Sequence, residues 1–105
     1  MTAAFVDDLL FRSKIRAAAS ATGAAVSFLK DPHDAALSGT SIAIVDLDAP
    51  GAIDTVHALR DAWPSLRIVG YVSHVHTDRI RDARAAGADV MARSAFVTAL
   101  PSLLA

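Results

Sequence analysis

Acidic side chains placed where strands should end are the residues of this sequence best suited to chemistry. Asp7 and Asp8 follow an opening apolar run, Asp46 closes another, and Ser73 follows a third. In an open parallel sheet such positions meet at one edge, beyond the carboxyl ends of the strands, where loops converge and helix N-termini point at ligands. Carboxylates gathered within a few ångströms repel one another unless a hard divalent cation such as Mg²⁺ lies between them. Aspartate can also be the nucleophile of phosphoryl transfer, giving an aspartyl phosphate, with the cation and a hydroxyl or basic side chain holding the equatorial oxygens. The spacing permits that scheme.

The elements that must position these acids are legible from apolar patterning. Short apolar runs alternate with longer segments of helical period, the pattern of a parallel sheet covered by helices, so the class is α/β. Strands are expected at 2–6, 25–29, 41–45, 66–72 and 88–92. The run from Ser41 to Val45 is nearly all apolar and β-branched, as in a central strand buried on both faces. Helices are expected at 9–21, stopped by Gly23, at 53–63, stopped by Pro64, and at 76–86, stopped by Gly87. A short helix at 32–37, with Asp31 as cap and Pro32 in its first turn, and a last one at 96–104 complete five strands and five helices.

Composition narrows the function classes. At 105 residues the chain is the size of one domain, and 53% hydrophobic against 20% charged residues gives it a core without disulfides or a structural metal. A net charge of −1 implies no general attraction to nucleic acid or anionic lipid. Cysteine is absent, which removes thiolate metal sites and cysteine nucleophiles and fits a reducing compartment. The opening Met-Thr-Ala-Ala-Phe-Val-Asp-Asp lacks the basic and apolar regions of a signal peptide, and no run reaches the roughly 18 apolar residues of a membrane span. A cytoplasmic protein with no membrane and no nucleic-acid partner is expected. The sequence shows no repeat, low-complexity tract or linker, so a single domain over 1–105 is expected.

The segment Ile44-Val-Asp-Leu-Asp-Ala-Pro-Gly51 resembles the receiver domains of two-component response regulators, in which a strand-ending phosphoacceptor aspartate precedes a proline by four residues and then a glycine. Phe5-Val-Asp-Asp8 resembles the acidic pair of those domains, Ser73 stands where they carry a phosphate-contacting Thr or Ser, and Ala85-Ala-Gly-Ala-Asp89 resembles the segment before their fifth strand. The pieces occur in order over nearly the whole chain. The resemblance implies a flavodoxin-like doubly wound fold, with Asp46 as phosphoacceptor and Mg²⁺ held by acids drawn from Asp7, Asp8, Asp46 and Asp48. Ser73 and Arg93 would contact the phosphoryl group. It further implies phosphorylation by a histidine kinase or phosphotransfer protein, signalling to a downstream protein partner, and no enzymatic activity beyond phosphorylation and dephosphorylation of the domain itself.

The chain departs from that pattern in places. Where receivers have Lys-Pro after the fifth strand it reads Ala92-Arg-Ser-Ala-Phe96, so Arg93 replaces the lysine with a longer, planar, forked cation that can grip a phosphate or pair with an acid. The stretch between Asp8 and Arg12 is one residue short, which leaves open which acid faces the metal, with Asp8 favoured. Each candidate also has a plainer reading: Asp46 can start a loop, Asp7 and Asp8 can cap a helix, Arg93 can pair with Asp8 or Asp46 in place of a metal, and Arg79, Arg81 and Arg84 can line a solvated helix face. His74 and His76, with His33 and His57, lack the ligand set of a transition-metal site and read as exposed. The competing function is therefore a pseudo-receiver, a phosphorylation-independent interaction or dimerisation scaffold, and Val97, Leu100, Leu103 and Leu104 could leave an apolar face on the last helix for a homodimer. A flavin or nucleotide site ranks last, because Asp7 and Asp8 would repel the phosphate such a loop must cradle.

Overall fold

The computed structural model of the protein describes residues 1–73 and 77–105. Strand and helix alternate as the patterning dictates: β1 (Thr2–Phe5), α1 (Leu9–Thr22), β2 (Val26–Phe28), a 3₁₀ segment (Ala35–Gly39), β3 (Ile42–Asp46), α2 (Ala52–Ala62), β4 (Arg67–Val72), α3 (Thr77–Ala85), β5 (Asp89–Ala92) and α4 (Arg93–Leu104). The strands form one parallel five-stranded sheet in the order β2-β1-β3-β4-β5. This is the flavodoxin-like α/β arrangement expected from the sequence.

Each strand residue faces one of two core layers in turn. On one face Ala4, Ile42, Ile44, Val69 and Tyr71 meet Phe11, Ile15 and Ala19 of α1 and Phe96, Leu100 and Leu104 of α4. On the other, Ala3, Ala43, Val45, Ile68 and Val72 meet Val56 and Leu59 of α2 and Ala83 of α3. Burial on both faces is why β3 and β4 read as near-continuous apolar runs rather than alternating ones. Helix α1 begins where the Asp8 side chain accepts the Phe11 N–H at 3.1 Å, and it ends at Gly23, whose φ of 72° a side chain would disfavour.

Three expectations are corrected. The helix placed at 32–37 is instead a 3₁₀ segment at Ala35–Gly39 capped by Asp34, while Asp31 accepts the His33 N–H in a turn that precedes it. The connection is too short for an α-helix with interior hydrogen bonds, and only Leu37 of it is buried. Helix α4 starts at Arg93 directly after β5, not at Phe96, because it uses Ala92 as a cap residue without a side-chain hydrogen bond. Leu100 and Leu104 of that helix are buried, and Val97 and Leu103 pack partly buried against the same layer, so the uncovered apolar face expected there is turned inward. The start of the helix expected from 76, together with His74 and His76, lies outside the described residues. Among the described residues, no helix is long and apolar enough to cross a membrane.

Candidate functional site

The register brings the predicted acids to one edge: Phe5 pairs with Val45, and Asp46 pairs with Tyr71, so the segments following β1, β3 and β4 leave the sheet side by side. Asp46 is the last residue of β3 and half-buried. Strand alternation puts its side chain on the face of Ile44 and Tyr71, the layer that also holds Phe11. Its Oδ1 accepts the Asp48 N–H at 2.9 Å. Burial raises the Asp46 carboxyl above its ordinary value and the charges of Asp48 and Asp8 add to this, while the Asp48 hydrogen bond and Arg93 oppose it.

Asp8 faces this carboxylate from the start of α1. One of its oxygens caps the helix through the Phe11 N–H, and Oδ2 lies 3.6 Å from Nη2 of Arg93, the first residue of α4. The Arg93 guanidinium also lies over the Phe11 ring, 4.2 Å from its centroid. Beneath it, Phe11, Tyr71 and Phe96 stack with centroids 4.6 and 4.7 Å apart, tying α1, β4 and α4 together under the site.

Asp48 turns the other way. Its Oδ2 accepts the Ser73 N–H at 2.7 Å, and its Oδ1 lies 4.0 Å from Nη1 of Arg79, which donates to the Leu47 carbonyl at 3.0 Å. Ser73 thus reaches the edge through its backbone N–H, which holds Asp48. Asp7 is exposed and borders, with Lys30, Asp46, Pro50 and Thr55, a pocket of about 180 Å³ beside the β3 terminus.

The expected cation cluster of Asp7, Asp8, Asp46 and Asp48 is therefore split. Among the described residues no three acids or histidines come together closely enough to hold a metal ion. Asp8 is committed to its cap and to Arg93, and Asp48 to Ser73 and Arg79. Two of the four expected ligands are engaged by protein donors, whereas Mg²⁺ takes one or two carboxylates and completes its octahedron with water and phosphate oxygens. The four acids expected to share a cation are thus not gathered into one three-ligand cluster among the described residues. Arg93 behaves as its plainer reading allowed, paired with Asp8.

Sequence reasoning missed three participants. Arg79 looked like one more member of a solvated helix face, a description that fits Arg81, paired with Asp78 and Asp82 in the open. Lys30 and Tyr71 carried no local signal, since one is a loop cation and the other an apolar-run residue. The hydroxyl of Tyr71 is buried with no hydrogen-bond partner among the described residues, and burial, with the charges of Asp46 and Asp8, pushes it well above the usual phenol range.

No family model matches the sequence, and no curated protein does. Solved structures do resemble it. Over 98% of this chain and 93% of the other, the chemotaxis protein CheY4 of Vibrio cholerae superposes with a TM-score of 0.78 at 17% identity. A response regulator from Thermotoga maritima gives 0.76 at 16% identity, covering 97% of this chain and 91% of its own. A Burkholderia pseudomallei response regulator with a phosphorylated aspartic acid, a calcium ion and citrate gives 0.76 at 20% identity, covering 99% of this chain and 65% of its own. The protein has the fold of response-regulator receiver domains, as its motifs predicted.

Proposed function

We propose that this protein is a receiver-like signalling domain that accepts a phosphoryl group on Asp46 from a histidine kinase or a phosphotransfer protein. The observation that carries this reading is the placement of one half-buried carboxylate at the end of the central strand, bordering a pocket and within the influence of the Arg93 charge. With Oδ1 held by the Asp48 N–H, Oδ2 is the atom left to attack phosphorus. The new O–P bond forms as the P–N bond to the donor imidazole breaks, and the electron pair stays on the imidazole nitrogen. Burial makes Asp46 a more basic nucleophile than an exposed aspartate. Lys30 lines the pocket beside Asp46, Arg93 stands by Asp8, and the Ser73 N–H orients the loop through Asp48.

The output is a changed affinity for a downstream protein partner, since a shifted equilibrium needs only a differential contact with the two states. Catalysis in this reading extends no further than the domain's own phosphorylation and dephosphorylation. Phosphoramidate, a small P–N donor, tests it: incubation with and without Mg²⁺, followed by intact-mass analysis, should show one phosphoryl group on the natural protein and none on Asp46→Asn. A chain that stays unlabelled in both buffers is instead a phosphorylation-independent scaffold. The Asp8–Arg93 pair, which neutralises one of the acids with a protein group alone, favours that second reading.

A further inference from the structure

The charge arrangement around Asp46 differs from one built around a divalent ion, and each difference involves a named contact. Asp8 uses one oxygen on the Phe11 N–H and places the other 3.6 Å from Arg93. Asp48 points both oxygens at Ser73 and Arg79. Arg93 is itself oriented, because its guanidinium rests on the Phe11 ring and Phe11 is fixed in the buried stack with Tyr71 and Phe96. An ordered, forked cation that pairs with Asp8 and whose charge is felt at Asp46 can receive the oxygens of a tetrahedral or trigonal anion two at a time.

We propose that Arg93 supplies at Asp46 the positive charge a divalent cation would otherwise supply, so that a phosphoryl-like anion is held there without metal and Asp8 competes with that anion for Arg93. This rests on Asp46 being the phosphoacceptor. Asp8 is then an internal inhibitor of the site rather than a ligand of it, since a free carboxylate and an arriving anion seek the same guanidinium. Weakening Asp8 should therefore help the anion, the reverse of what a metal-held site requires.

The test is amide NMR of the whole chain in metal-free buffer, titrated with beryllofluoride and then with Mg²⁺, for the natural protein, Asp8→Asn, Arg93→Ala and Asp46→Asn. Asparagine caps helices as well as aspartate does, so Asp8→Asn leaves α1 intact. The natural protein should show shifts around Asp46 and Arg93 before any Mg²⁺ is added. Asp8→Asn should tighten binding several-fold, and Arg93→Ala should weaken it about tenfold, the scale of one charge-assisted hydrogen bond. Shifts caused by Mg²⁺ alone, beryllofluoride binding only in its presence, loss of binding in Asp8→Asn, or no effect of Arg93→Ala would each overturn the inference while leaving Asp46 as acceptor. Silence in every titration, together with no phosphoramidate label, would remove the acceptor reading and this inference with it.

Discussion

A carboxylate that must stay ionised while half-buried carries a cost, and Asp46 shows where that cost lies. Its pKa is raised in the folded state chiefly by burial, so folding favours its protonated form. The stability linked to this residue is present below the unfolded-state carboxylate pKa and is lost as pH rises through the folded value. At neutral pH Asp46→Asn should accordingly melt higher than the natural protein, keeping the Asp48 N–H bond to Oδ1. The gap should close as pH falls into the carboxylate range, and thermal unfolding of both proteins at neutral and acid pH checks it. A constant gap would mean that lost charge is not the cause. The types of the site residues were readable from the sequence, since acids at strand ends are a positional signal. Their partners were not: whether Asp48 faces a cation or the Ser73 N–H is decided by a contact 25 residues away in the chain, which no local spacing encodes.

Elements with strong periodicity or strong stops were legible. Helix α1 has Phe11, Ile15 and Ala19 on one stripe, with Asp8 and Gly23 at its ends, and the apolar runs at β3 and β4 left little alternative. The weak ends were misplaced where chemistry gives no signal, as at Ala92, which caps α4 with no side-chain bond. Close approaches between elements were equally silent. A Cβ at Gly70 in β4 would stand 2.6 Å from Cδ1 and 2.7 Å from Cγ of Leu47, a side chain with no exposed surface into which to retreat. Gly70→Ala should destabilise by about 1–3 kcal/mol in urea unfolding. Because Leu47 adjoins Asp46, it should also disturb the acceptor loop. In the Leu47→Ala background the alanine should be nearly harmless, and strict additivity of the two changes would refute the clash.

At the scale of the molecule, three aromatic rings join the two terminal helices to the sheet. Phe96 is wholly buried at the end of that stack, 4.7 Å from Tyr71. Phe96→Ala should cost about 3–5 kcal/mol, a large share of the roughly 5–15 kcal/mol that holds a domain together. Equilibrium denaturation should show a much earlier midpoint with the far-ultraviolet spectrum unchanged beforehand; an unaltered midpoint would mean the stack is not a structural tie. The strand order has a kinetic consequence too. With β1 seated between β2 and β3 and every neighbouring pair parallel, no two strands can zip together from a hairpin, and each ladder waits for a crossover of a dozen or more residues to close. Such chains assemble slowly compared with helical bundles of equal length. In the interval the apolar segments that become β3 and β4 are open to one another's copies, so the yield of refolded protein should fall as its concentration rises.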